Sequence, residues 1–123
     1  MARRFEELVS WQLADELRAR IDRFTGQPPV CHDRKFSDHI RDSASSVPSN
    51  IAEGFCRYGH REFARFLNIA RGSLAETQSR LRSGADRLYL SEAEHRELQA
   101  LARRAMTAIT RLQTYLRNNP DTP

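Results

Sequence analysis

Four stripes of apolar residues at helical spacing, separated by short polar or Gly/Pro breaks, constrain this chain more than any other feature. Between about residues 60 and 89, Phe63, Leu67, Ala70, Leu74, Thr77, Leu81 and Leu88 recur at steps of four and three. That period places side chains on one face of an α-helix. A first stripe, over about 6–24, uses Val9, Leu13, Leu17, Ile21 and Phe24, and Gly26-Gln27-Pro28-Pro29 ends it because proline cannot continue a helix. A second, over about 34–57, uses Phe36, Ile40, Ala44, Val47, Ile51 and Phe55, with Asp33 as the N-cap. Pro48 lies inside it, and the apolar phase carries across, which predicts a kink rather than a break. Gly59 precedes the third. The fourth, over about 91–117, opens with Ser91 and Glu94 in capping-box spacing and continues through Leu98, Leu101, Ala105, Ile109, Leu112 and Leu116. The tail, 118–123, is expected to fray. No sustained alternation argues for a strand. The expected fold is one domain over 1–123, all-α, an antiparallel up-down four-helix bundle with its second helix kinked at Pro48.

A chain of 123 residues is long enough for one core without covalent staples. Its two cysteines, Cys31 and Cys56, form no C-x-x-C pair, which argues against a disulfide scaffold or zinc module and suits a reducing compartment. Apolar runs are too short to span a membrane, and Met1-Ala2-Arg3-Arg4-Phe5 leads straight into a charged amphipathic segment with no signal-peptide core. A cytoplasmic location is expected. The four histidines, His32, His39, His60 and His95, show neither H-E-x-x-H nor E-x-x-H spacing, so the di-iron chemistry of some bundles is not indicated. Cys31 and His32 adjoin in a loop without an orienting partner, and the five glycines are scattered rather than gathered in a phosphate loop. No catalytic residue, metal, cofactor or small-molecule substrate is therefore expected, and the chain reads as a non-enzyme.

The net charge of +4 is unevenly placed. Residues 1–55 carry eight basic and nine acidic side chains; residues 56–87 carry seven arginines against Glu62, Glu76 and Asp86; residues 88–123 carry five basic against four acidic. Every basic residue except Lys35 is arginine, a bias that suits phosphate recognition but that a GC-rich genome also produces. Arg57, His60, Arg61 and Arg65 frame the turn between the second and third helices, with Arg71 farther along, and form the candidate nucleic-acid surface. The alternative for these arginines is a solvated face or salt bridges between subunits.

Two further features point to self-association. On a helical wheel Trp11 falls about 140° from the centre of the first stripe, with Leu8 on the same side, as at a second buried surface. The alternative is that the helix starts late and Trp11 folds over the end of the bundle. Gly72 interrupts the third helix on the face opposite its stripe, among Arg61, Arg65, Asn68 and Glu76, as though another backbone approached there. Arg65 and Glu76 are candidates to pair across such a contact, and a tolerated surface glycine is the alternative. Asn50 and Glu53, beside Pro48, read as structural polar groups that satisfy backbone freed by a kink.

Three ordered stretches resemble one known family. Phe5-Glu6-Glu7-Leu8-Val9-Ser10-Trp11-Gln12 is similar to an opening F-x-x-L-x-x-W-Q, Ser46-Val47-Pro48-Ser49-Asn50-Ile51-Ala52-Glu53-Gly54 to S-I-P-x-N-I-A-E-G, and Glu62 to Glu76 to E-F-x-R-F-L-x-I-A-x-G-S-L-x-E. These are motifs of the four-helix-bundle proteins encoded in 23S rRNA intervening sequences, and the resemblance covers roughly residues 5–116. It implies a ring-like homo-oligomer, a pentamer, and distant kinship with accessory proteins of diversity-generating retroelements. One departure stands out. Where that family has a basic-rich Q-x-R-R-A-A, this chain has His39-Ile40-Arg41-Asp42-Ser43-Ala44, with Asp42 in place of a positive charge.

Two functional expectations follow. The first is an oligomeric bundle that binds structured or ribosomal RNA through arginines near the turn between helices two and three. Aromatics laid on a sheet, the usual platform for single-stranded RNA, are absent, so backbone and shape would be read more than sequence. The second is an assembly or scaffold protein whose partner is another protein.

Overall fold

The computed structural model describes residues 2–57 and 59–121. Four helices follow in chain order: α1 (Val9–Thr25), α2 (Arg34–Phe55), α3 (His60–Asp86) and α4 (Glu92–Asn118). Short 3-10 turns at Phe5–Glu7 and Val30–His32 precede α1 and α2. Each helix packs on its sequence neighbour and α1 closes against α4, while the diagonal pairs make no close approach. This is the expected all-α four-helix arrangement. Contacts between α2 and α3 step in opposite directions along the two helices: Ser46 Oγ lies 2.8 Å from Ser73 Oγ, and Thr77 Oγ1 donates to Ser43 Oγ at 3.0 Å. The register of α3 on α4 is likewise antiparallel, Gln99 bonding to Gln78 and Gln113 to Ala64.

The caps fall where the sequence placed them. Asp33 Oδ1 accepts the amide of Phe36 at 3.2 Å. Gly59 caps α3 with φ +89°, a conformation that suits glycine. Ser91 and Glu94 make both bonds of a capping box, at 3.0 and 2.9 Å. Helix α2 continues through Pro48, which is buried. The part of the tail at residues 122 and 123 lies outside the described residues.

The core is built from the predicted stripes of α2, α3 and α4 with two corrections. Leu88 does not extend the α3 stripe: it is 87% exposed, because the helix stops at Asp86. Leu88 adopts φ +64°, and the Tyr89 amide bonds back to the Gly84 carbonyl at 2.9 Å, the hydrogen-bonded reversal that closes many helices. The buried face of α1 is Ser10, Ala14, Leu17, Ile21 and Thr25, rotated about 60° from the predicted stripe. Val9 is consequently 61% exposed. An apolar-only reading passes over Thr25, whose hydroxyl is satisfied inside the protein by donating to the Ile21 carbonyl at 2.7 Å.

That rotation corrects the position of Trp11. The preceding segment is a 3-10 turn, α1 starts late, and Trp11 is half-buried against the core, its ring edge-on to Phe5 at 5.4 Å. Leu8 is also half-buried against the core. The geometric reason for placing Leu8 and Trp11 on a second surface is removed.

Candidate nucleic-acid interface

Of the arginines predicted at the α2–α3 turn, two are neutralised within their own stretch of chain. Arg57 Nη2 donates to Glu53 Oε1 at 2.8 Å, and Arg65 Nη2 donates to Glu62 Oε1 at 2.7 Å. Both guanidinium groups also lie over the ring of the buried Phe66, at 5.2 and 4.7 Å from its centroid, a cation–π arrangement that fixes their heads. The Glu62 carboxyl is held below its ordinary range, first by the Arg65 hydrogen bond and then by the charges of Arg65, Arg57 and Arg61. These partners correct one reading. Glu53 satisfies no backbone group near Pro48, since it pairs with Arg57; only Asn50 does so, its Nδ2 donating to the Ser46 carbonyl at 2.8 Å. Within the chain, Glu76 pairs with Arg80 of its own helix at 3.1 Å, as Arg65 does with Glu62.

His60 is drawn to the end of α4 rather than joining the arginines. Its amide donates to Asp121 Oδ2 at 2.5 Å, and its Nδ1–H donates to the Asn119 carbonyl. An aspartate at the first turn of α3 also complements the helix dipole.

Arg61 and Arg71 have no carboxylate partner among the described residues. With Arg65, Asn68, Gln113 and Arg117 they line an open groove of some 820 Å³ between α3 and α4, in which Glu62 is the one carboxylate. Arg71 is half-buried and bonds to Gln113 Oε1 at 3.2 Å, while its Nε is buried without a partner. Gln113 was not foreseen, because a glutamine at a core position of α4 gives no periodic signal.

Helix α4 carries more of the charge than the sequence reading assigned to it. No acidic residue occurs between Glu97 and Asp121, a stretch that contains Arg103, Arg104, Arg111 and Arg117. All four are exposed and lack a carboxylate partner among the described residues. Arg103, Arg104 and Arg111 border a second groove, between α4 and α1, with the apolar Val9, Leu13, Ala100 and Ala108. Counting charge over the whole segment 88–123 hid this run, because the acids gather in the first turns of α4.

Gly72 faces outward on α3, and a Cβ built there would meet nothing within 4 Å. Nothing among the described residues requires a glycine at this point. Among the described residues no three or more His, Cys, Asp or Glu side chains are placed to hold a metal ion, and no helix is long and apolar enough to cross a membrane.

A protein of unknown function from the S23 ribosomal protein family of Bacteroides thetaiotaomicron shares the fold. Its crystal structure superposes with a TM-score of 0.74 at 20% identity, covering 85% of this chain and 98% of that one. Among curated proteins none is significantly similar in sequence. Residues 6–111 match the 23S rRNA-intervening sequence protein family. That match takes in all three motif stretches except Phe5, the one residue before its start, and runs from the turn before α1 through most of α4, and the chain belongs to this family.

Proposed function

We propose that this protein is a self-associating helical bundle, without enzymatic activity, that binds structured or ribosomal RNA through arginines of α3 and α4 that line the α3–α4 groove and the neighbouring α4–α1 groove. The observation that carries this reading is the set Arg61, Arg71, Arg103, Arg104, Arg111 and Arg117, none with a carboxylate partner among the described residues. Arginines left unneutralised on two adjacent helices make a positive field that a phosphate backbone relieves by releasing its counterions. Planar guanidinium forks match phosphate oxygens better than lysine does. The surface differs from the one first expected: it moves from the α2–α3 turn, where Arg57 and Arg65 are paired, toward α4.

Self-association is supported by Gly72, an exposed mid-helix glycine with open space around it. The subunit number implied by the family resemblance is five, and a ring would repeat the arginine surface once per copy. A scaffold that binds a protein instead draws support from the apolar strip of Val9 and Leu13 beside α4.

Arg61→Glu combined with Arg117→Glu separates these readings when RNA affinity and native mass are recorded together. A loss of about tenfold or more in affinity, with unchanged mass, supports the RNA surface. Unchanged affinity in an intact assembly removes it. Dissociation of the assembly places these arginines in a subunit contact.

A further inference from the structure

We infer that the end of the bundle beside the α2–α3 turn carries a recess for one unpaired nucleobase. This rests on the RNA reading and adds a contact with a base, where the arginines meet only phosphate. The recess has a volume of some 520 Å³, within the range of ordinary small-ligand pockets. Phe63 and Leu116, both buried, line it, and Leu8, Phe55 and Leu112 stand half-buried around them. Protein interiors seldom leave such a space among apolar side chains.

Four rings border the recess in two pairs. Phe55 and Phe63 stand edge-on, 6.1 Å apart at 82°, as packed aromatic pairs prefer. His60 and Tyr115 do not stack: their centroids are 6.3 Å apart and their planes are tilted by 49°. Tyr115 is 46% exposed, so a flat molecule arriving from solvent can reach its ring. His60 is held in place, its Nδ1–H donating to the Asn119 carbonyl. An accessible tyrosine beside a fixed imidazole is a platform on which a base can stack.

Charge decides which flat molecule fits. Arg57, at the recess, is already paired with Glu53, so an uncharged body suits the interior. Arg61 follows His60 on α3 and Arg117 follows Leu116 on α4, and neither has a carboxylate partner among the described residues. A nucleotide has this division, an uncharged aromatic base joined to an anionic phosphate. Bases within a duplex are stacked away, so the occupant is an unpaired one, from a bulge or loop.

The shared chemistry is a nucleotide, carried by an unpaired position of RNA or free, and the test separates the two. The full chain is titrated with a structured rRNA hairpin bearing a single-nucleotide bulge and with the same hairpin fully paired. Ring-proton resonances of Tyr115 are followed by NMR in both titrations. Nucleoside monophosphates, and phenol as a ring without phosphate, are added separately. The recess predicts that the bulged hairpin binds about tenfold tighter than the paired one. Tyr115→Ala removes that preference, and Tyr115→Phe, which keeps the ring, retains it. Tyr58, in the turn, lies outside the described residues, and Tyr58→Ala is measured beside wild type so that its ring cannot decide the result.

Equal affinity for the two hairpins in wild type and in Tyr58→Ala overturns the recess and leaves the RNA reading standing, as does a preference that survives in Tyr115→Ala. Monophosphates that shift Tyr115 saturably in a protein that binds no RNA keep the recess, assign it to free nucleotide and remove the RNA reading. Phenol that shifts Tyr115 as strongly as the monophosphates at equal concentration overturns the nucleotide assignment. A protein that binds neither RNA nor monophosphate overturns both readings.

Discussion

Gly54 and Phe66 pack so closely across the α2–α3 seam that a Cβ on Gly54 would lie 2.7 Å from the Cβ of Phe66. Phe63 crowds the same point, with Cδ1 at 2.9 Å and its carbonyl oxygen at 3.3 Å. The glycine therefore sets how near the two helices come at their shared turn. It also sets the place of Phe66, the ring over which Arg57 and Arg65 lie. Packing of the core and orientation of surface charge are linked at this one position.

Gly54→Ala is expected to destabilise the fold by about 1–3 kcal/mol, since backbone and a Cβ cannot swing aside as a flexible side-chain end can. For a protein of this size that is a fall of roughly 5–15 °C in the thermal midpoint, read by circular dichroism. A midpoint equal to wild type would show that the helices separate freely at the turn.

Gly72→Ala carries the opposite expectation for the helix itself. The added methyl meets nothing within 4 Å in the chain, and alanine favours a helix interior by about 1 kcal/mol over glycine. If α3 uses this face for a second copy, the same methyl obstructs close approach and the native mass falls. A raised midpoint with unchanged native mass would remove Gly72 from any subunit contact.

Leu88→Gly should stabilise the protein. Leu88 holds φ +64° while 87% exposed, so it bears the strain of a left-handed conformation with little burial in return. Relief is about 1 kcal/mol, or a few degrees in midpoint by thermal unfolding. A lower midpoint would mean that the leucine side chain makes a stabilising contact in the folded protein.

Stability should decline on acidification through Asp33. Its carboxyl is held below the ordinary aspartate range by the hydrogen bond from Tyr89, then by the Phe36 amide and by Arg87. Because the folded value is the lower one, the contribution is complete above the unfolded value and is lost as pH falls through the folded value. Asp33→Asn should lower stability at neutral pH and flatten the acid limb below about pH 4. Urea midpoints measured across that range check this, and a variant whose acid limb matches wild type would assign the loss to other carboxylates.

The architecture was legible because twenty or so apolar positions repeat the same period and the caps use Asp33, Gly59 and Ser91 at the expected places. The phase of α1 was not, since Ser10 and Thr25 are buried polar residues that an apolar pattern leaves out. Phe66 also escaped, lying to one side of the α3 stripe yet buried beneath Arg57 and Arg65. For the site, two ion pairs and one charge run are readable from the chain itself. Glu53 with Arg57 and Glu62 with Arg65 stand at spacings of four and three that pair on a helix, and the acid-free run after Glu97 is plain in the chain. The bond from Arg71 to Gln113 spans 42 positions and depends on how α3 and α4 pack, so only the fold reveals it.

The most direct test of the central claim is a titration of the intact protein against a labelled structured rRNA fragment at about 50 and 200 mM salt, with native mass recorded on the same sample. The arginine surface predicts micromolar or tighter binding at the lower salt, weakened by about a hundredfold or more at the higher, as several phosphate contacts are lost together. No binding at low salt from an intact assembly, or binding indifferent to salt, would contradict it.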